Sequence, residues 1–206
     1  ARIKDCACCG AYMDAAHTTW KTFTCHNTGA DENLDPFTPA AGIHGAKFQW
    51  GVGETGTGYG ISQADDQTST SLPAGVTWKC RSSLSSLPSG IKTNPCPDGF
   101  RLPTYTEWKN VYQNNTITYV GTWDGDYTNY SSGAQIGTGL FLPAAGLRSN
   151  CGGSSGFLTN RAYKGYYWSS TPIGNDYYSY LEVESSRVST SDYSGTLGMS
   201  VRCIEQ

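Results

Sequence analysis

The chain has 206 residues, only 15% of them charged, and its net charge is −3. This length suits one domain with a substantial core, so we predict a single domain over residues 1–206. The chain has no run of Lys or Arg, and no apolar run reaches the roughly 20 residues of a membrane helix. We therefore expect neither nucleic-acid binding nor direct insertion into a membrane.

The cysteines are the first feature along the chain. There are eight, and an even number with loop-like neighbours favours disulfides and an oxidising compartment. The start, ARIKDCACCG, lacks the apolar centre of a signal peptide, so we expect any such signal to have been removed. The alternative is a zinc site formed by Cys6, Cys8, Cys9, Cys25 and nearby histidines, although the paired C-x-x-C spacing of structural zinc sites is absent.

Residues 1–50 predict a cysteine-rich N-terminal part that packs on the rest of the domain, with short strands near 20–24 and 46–50. Residues 51–77 are rich in Gly, Thr and Ser. That composition is typical of long loops, so we predict an excursion over the surface there.

One helix is predicted firmly by local signals. Thr104 and Glu107 have the spacing of a capping box, and Trp108, Val111 and Tyr112 then form one apolar stripe. We expect this helix to end near residues 113–115. Beyond it, strands are predicted at 166–170, 178–184 and 198–204, which gives an α+β fold with short antiparallel strands, one or two helices and much irregular loop.

Cys203 ends the last predicted strand and needs a partner. Cys96, just before the capped helix, is the partner that we expect. Such a disulfide closes a loop of roughly 100 residues, which corresponds to about 4–5 kcal/mol in the chain-entropy model.

The segment 166–198 combines strand-like ends with a middle made largely of Tyr, Ser, Asp and Asn. This composition suits a binding surface, because tyrosine offers a large amphipathic contact at low entropic cost. Leu181 and Val183 are expected to face the core, so positions 178, 180, 182 and 184 are expected to face solvent. The alternative is that the tyrosines shield the core from a neighbouring loop. The predicted binding surface comprises Tyr166, Asn175, Asp176, Tyr177, Tyr178, Tyr180, Glu182, Glu184, Ser185, Arg187, Ser189, Ser191, Asp192 and Tyr193.

Patterns that suggest catalysis or metal binding lack the context that such sites need. Residues 51–56 satisfy G-x-G-x-x-G, but no helix is predicted directly after them. Residues 152–156 satisfy G-x-S-x-G, but all three histidines lie far upstream. Glu182 and Glu184 share a strand face, and a solvated face is favoured over a catalytic pair. We therefore predict no catalytic residue and no enzyme activity.

Calcium is the alternative to our prediction that no cofactor is bound. Asp124, Asp126, Asn175 and Asp176 offer the oxygen ligands that calcium prefers. The same residues also suit hairpin turns, and no metal ligand set is predicted.

Several segments resemble one family. NPCPDGFRLPTYTEWKNV, LFLPAAGLR, GYYWSST and GMSVRC resemble signature segments of the Fibrobacter succinogenes major paralogous domain family, as does FTCHNTGADENLDPFTP upstream. The likeness is strongest over residues 95–206. It implies a secreted or surface-anchored prokaryotic protein with a C-type-lectin-like fold. RLPTYTEW also resembles formylglycine-generating enzymes, which share that fold.

The resemblance further implies a function. Members of this family serve as variable proteins of diversity-generating retroelements, in which adenine mutagenesis diversifies a C-terminal ligand-binding face. Here that face corresponds to residues 166–198, and the expected partner is a protein or glycan on another cell or surface. The alternatives are a structural domain of a surface adhesin or pilus, and an enzyme of the formylglycine-generating type. The calcium-binding tripeptides of animal C-type lectins are absent, so calcium-dependent sugar binding is not implied.

Overall fold

The computed structural model describes residues 8–149 and 155–206, and strands dominate these ranges. The helices are α1 (Gln63–Thr68) and α2 (Tyr105–Gln113), with 3₁₀ turns at Ala41–Ile43 and Leu84–Ser86. The strands are β1 (Gly10–Tyr12), β2 (Trp20–Thr22), β3 (Lys47–Phe48), β4 (Gly60–Ile61), β5 (Phe100–Arg101), β6 (Ile117–Val120), β7 (Gly133–Ile136), β8 (Leu140–Pro143), β9 (Ala145–Arg148), β10 (Leu158–Arg161), β11 (Gly165–Gly174), β12 (Tyr177–Val183), β13 (Val188–Ser194) and β14 (Ile204–Glu205). The predicted α+β class is confirmed.

The largest sheet has the strand order β10-β9-β11-β12-β13. Its long members β11, β12 and β13 are consecutive and antiparallel, whereas β9 meets β11 in parallel at Gly146 and Gly165. Sequence analysis missed β13, whose Ser, Thr and Asp residues carry no strong strand signal. The other sheets are small, with the strand orders β1-β2, β3-β4, β14-β5 and β6-β7-β8.

Residues 165–169 of β11 and residues 178–183 of β12 are buried on both faces. Tyr167, Leu181 and Val183 belong to one hydrophobic cluster, which includes Trp108 and Val111 of α2. The side chains that alternate with them belong to a second cluster, formed with β3 and with residues 197–203. The middle of the sheet is therefore packed between two apolar layers.

Helix α2 confirms the capping prediction. Thr104 Oγ1 accepts a hydrogen bond from the Glu107 N–H at 3.1 Å, and the Glu107 carboxylate accepts one from the Thr104 N–H at 2.7 Å. Arg101 donates to both oxygens of the same carboxylate at 2.7 and 2.8 Å. Trp108 and Val111 are fully buried, so the predicted apolar stripe is the face that packs on the sheet.

The predicted disulfide between Cys96 and Cys203 is present, with a Cα–Cα distance of 5.8 Å. Cys9 and Cys25 form a second disulfide, which removes two thiolates from the zinc alternative. None of the described cysteines is a free thiol, while Cys6 lies outside the described residues. These bonds favour an oxidising, extracellular environment. None of the described helices is long and apolar enough to cross a membrane.

The prediction that residues 51–77 run over the surface does not hold at six of the 27 residues, which are buried, while the others are exposed or half-buried. Val52, Tyr59 and Ile61 are buried, and α1 places Asp66 in the interior. There the Asp66 carboxylate meets three buried cations, Lys47, Arg148 and Arg161, which we call the Asp66 cluster. The segment is held inward because this carboxylate is the counter-charge for cations on β3, β9 and β10.

Candidate ligand-binding surface

The outer end of the β11–β12–β13 unit is shaped by a two-residue turn. Gly174 pairs with Tyr177, so Asn175 and Asp176 alone connect β11 to β12. Both have positive φ, 51° and 60°, as a type I′ hairpin turn requires, and Asn and Asp tolerate this conformation better than most residues. The Gly195 N–H donates to Asp176 O at 2.8 Å and so ties the end of β13 to the turn.

Large side chains are exposed at this end of the sheet. Ile173 is 55% exposed, Tyr177 42% and Tyr193 45%. The rings of the two tyrosines lie 6.0 Å apart between centroids. Asn175, Ser191 and Asp192 are exposed beside them, and Asp176 is half-buried. We call this set the tip surface: Ile173, Asn175, Asp176, Tyr177, Ser191, Asp192 and Tyr193.

Four residues that we predicted to face solvent are buried instead. They are Tyr166, Tyr178, Tyr180 and Glu182, and Tyr178 is only 6% exposed. The Tyr178 ring stacks on Trp50 at 3.6 Å between centroids. The alternation argument failed because residues distant in sequence, from β3 and from 197–203, cover the face that was expected to be free.

The remaining predicted residues lie at the opposite end of the β12–β13 hairpin or along it. Lys164 Nζ lies 3.1 Å from both Glu182 Oε1 and Glu184 Oε1, and Arg187 lies 3.3 Å from Glu184. Hydrogen bonds from Glu182 and Lys164 lower the pKa of Glu184 to about 2. These carboxylates are therefore engaged in ion pairs. Ser185 is exposed beside them, and Ser189 is half-buried. The structure does not bring this group together with the tip surface.

Sequence analysis missed Ile173 as a surface residue and Trp50 as the support of the site. Ile173 belongs to β11, whose first half is buried, and nothing in the sequence marks its second half as exposed. The Trp50 N–H donates to Gly195 O at 2.9 Å, and its indole N–H donates to Ser169 O at 2.7 Å. No local pattern in the sequence connects Trp50 with residues more than a hundred positions away.

Comparison with known proteins gives no match among family models, curated proteins or solved structures.

Asp124 and Asp126, two of the residues considered as calcium ligands, accept hydrogen bonds from within their own loop. Asp124 Oδ1 accepts from the Asp126 N–H at 2.9 Å and from Asn129 Nδ2 at 3.0 Å. Asp126 Oδ1 accepts from the backbone and hydroxyl of Thr128 at 2.9 and 2.8 Å. Within residues 8–149 and 155–206, no group of three or more His, Cys, Asp or Glu side chains is placed to hold a metal.

Proposed function

We propose that the chain is a secreted or surface-displayed ligand-binding module with a C-type-lectin-like fold, similar to the variable proteins of diversity-generating retroelements. In this proposal the tip surface contacts a protein or glycan on another cell or surface. The observation that carries the proposal is the exposure of Ile173, Tyr177 and Tyr193 at one end of the strands β11, β12 and β13, of which β12 beyond Tyr177 and the first half of β11 are buried.

Exposed aromatic and aliphatic side chains in one patch favour recognition over packing. Clustered exposed apolar groups mark interaction sites more often than isolated ones do. Tyrosine is enriched at such sites, because its ring is large, rigid and able to donate a hydrogen bond. The patch is also preorganised, since the Trp50–Tyr178 stack and the Gly195–Asp176 hydrogen bond hold the backbone beneath it. A rigid support lowers the entropic cost of binding.

The identities of the tip residues are compatible with diversification at adenines. The codons AAC and AAT become codons for Asp, Tyr, Ser or Ile when their adenines change, and they encode Asn when unchanged. All seven residues of the tip surface belong to this set. The buried residues behind the tip surface include Trp168 and Met199, and neither Trp nor Met can arise from these codons by changes at their adenines.

Sequencing the DNA beside the coding region tests the proposal. We expect a near-identical copy of the segment that encodes the tip surface, differing only where adenines stand, together with a reverse transcriptase gene. If the flanking DNA contains neither, the proposed kinship with variable proteins is wrong, and a structural module of an adhesin or pilus takes its place.

A pair of substitutions tests whether the tip is a displayed surface. Tyr177→Ala should change the free energy of unfolding by less than about 0.5 kcal/mol, because Tyr177 is a surface residue and its removal leaves no buried cavity. Tyr178→Ala should lower it by about 3 kcal/mol, because it empties a buried ring site against Trp50. Urea denaturation of both variants gives the comparison. Equal losses for the two neighbours would show that Tyr177 is a packing residue.

A further inference from the structure

Strand β13 forms one edge of the largest sheet, and within the described residues no further strand pairs with its outer side. The other edge is β10, which the chain itself covers in part, because the Leu158 N–H donates to Thr70 O at 2.7 Å. Natural proteins often protect an open edge with proline or lysine. The sequence of β13, VSTSDYS, contains neither. This edge is therefore left open to pairing with another backbone.

The hydrogen bonds at the two ends of the β12–β13 ladder fix which peptide groups of β13 point outward. The Gly195 N–H donates to Asp176 O at one end, and the Glu184 N–H donates to Arg187 O at the other, both at 2.8 Å. Bonded and non-bonded pairs alternate along an antiparallel ladder. In the register of these strands, the peptide groups that bond to β12 are therefore those of residues 189, 191 and 193. The peptide groups that point away from β12 are those of residues 188, 190, 192 and 194.

The outward peptide groups are accessible at the end of β13 that carries the tip surface. Asp192 is exposed and Thr190 is half-buried, whereas Val188 at the far end is only 7% exposed. Within the described residues, the peptide N–H and C=O groups of Thr190 and Asp192 have no hydrogen-bond partner. Residues two apart along a strand are separated by about 7 Å. The edge thus presents donors and acceptors at the repeat of an extended chain.

From this geometry we infer that β13 binds an extended segment of a protein ligand, which joins the five-stranded sheet as a further strand beside Thr190 and Asp192. The inference rests on the proposed function and narrows its partner to a polypeptide in extended conformation. Such an edge is complementary to another backbone, because an extended chain repeats its own donors and acceptors at the same spacing. Main-chain hydrogen bonds provide the affinity, and the exposed side chains of Asp192 and Tyr193 select among sequences.

Random heptapeptides displayed on phage are the probe, because they match the seven residues of β13. They are selected on the immobilised full chain, and the selected peptides are then synthesised. Peptide at ten times its Kd should slow amide hydrogen exchange at Thr190 and Asp192 about 10-fold. The amides of Ser189 and Ser191 should change less, because they are already bonded to β12.

Two substitutions of Asp192 separate the backbone from the side chain. Asp192→Pro removes an outward N–H and places a ring against the added strand, and proline is tolerated on edge strands where the N–H faces solvent. We expect it to weaken peptide binding at least ~10-fold. Asp192→Ala removes the carboxylate but keeps the N–H, so its effect should be at least ~3-fold smaller. Circular dichroism and urea denaturation check that both variants fold.

N-methylation of the peptide tests the same pairing without changing the protein. Methyl groups on the nitrogens that face β13 should abolish binding, and those on the nitrogens between them should be tolerated. This period of two is a property of strand pairing and not of side-chain recognition.

Two outcomes would overturn the inference. If no peptide is selected, or if binding shows neither a period of two nor a loss in Asp192→Pro, then β13 does not bind an added strand. If the chain dimerises in sedimentation velocity and Asp192→Pro abolishes the dimer, the edge binds a second copy of the chain and not a ligand. Both outcomes leave the proposed function untouched, because the flanking DNA and the Tyr177 and Tyr178 variants test it separately.

Discussion

Replacing Asp66 with asparagine should lower the free energy of unfolding by about 3–5 kcal/mol. The Asp66 carboxylate accepts hydrogen bonds from Arg148 Nε at 2.7 Å, from Arg161 Nη2 at 2.7 Å and from Lys47 Nζ. The four side chains are between 0% and 1% exposed. The amide keeps the shape of the carboxylate but removes its charge, and it leaves three buried cations without a counter-charge.

Asp65→Asn is the matched control for this change. Asp65 is the preceding residue of α1, it is half-buried, and its carboxylate accepts a hydrogen bond from Ser62 at 2.7 Å. Its charge interacts favourably only with the first turn of a short helix. The expected loss in the free energy of unfolding is therefore below about 1 kcal/mol. Urea denaturation of both variants at pH 7 gives the comparison. Equal small losses would mean that the cations are compensated without Asp66.

The pH dependence provides a second readout of the same substitution. Burial alone raises the pKa of Asp66, but the charges of Lys47, Arg148 and Arg161 outweigh it and lower the pKa to about 2. A carboxyl whose folded pKa is depressed contributes stability above its unfolded pKa of about 4, and that stability is lost as pH falls toward 2. The Asp66→Asn variant should therefore lose less stability between pH 4 and pH 2 than the unmodified chain.

The Asp66 cluster also shows why the burial of Asp66 could not be predicted from the sequence of residues 51–77. The partners of Asp66 stand 19, 82 and 95 residues away along the chain. Nothing in the local string QADDQTSTS distinguishes the buried Asp66 from the half-buried Asp65. Helix α2 was predictable for the opposite reason. Thr104 and Glu107 satisfy each other within four residues, so the information is local.

The exposure of individual residues in the candidate site could not be predicted from the composition of residues 166–198. Tyr177 and Tyr193 are exposed there, as predicted. Tyr178 and Tyr180 have the same chemistry and are buried. These two side chains are buried because Trp50 and residues 197–203 pack against them in the second apolar layer. Strand alternation assumes one free face, and that assumption fails when both faces are covered.

Removing the Cys96–Cys203 disulfide with the double substitution Cys96→Ala and Cys203→Ala should lower the free energy of unfolding by about 4–5 kcal/mol. The bond spans 107 residues, so its loss greatly enlarges the entropy of the unfolded chain. The Cys9–Cys25 bond spans 16 residues, and the corresponding double substitution should cost about 3 kcal/mol. Urea denaturation under non-reducing conditions measures both losses.

Loss of the Cys96–Cys203 disulfide should also destabilise β11, the strand that leads to the tip surface. The segment that ends in Cys203 is bonded to β11, because the Ser200 N–H donates to Tyr166 O at 3.0 Å and the Trp168 N–H donates to Ser200 O at 3.1 Å. Those bonds hold the buried half of the strand that carries Ile173. Amide hydrogen exchange at Ser200 and Trp168, the two donors of these bonds, should therefore accelerate in the Cys96/Cys203 variant beyond what the Cys9/Cys25 variant shows. If the shorter loop proves the more stabilising, strain or residual unfolded-state structure outweighs loop length, and the entropic argument is wrong for this chain.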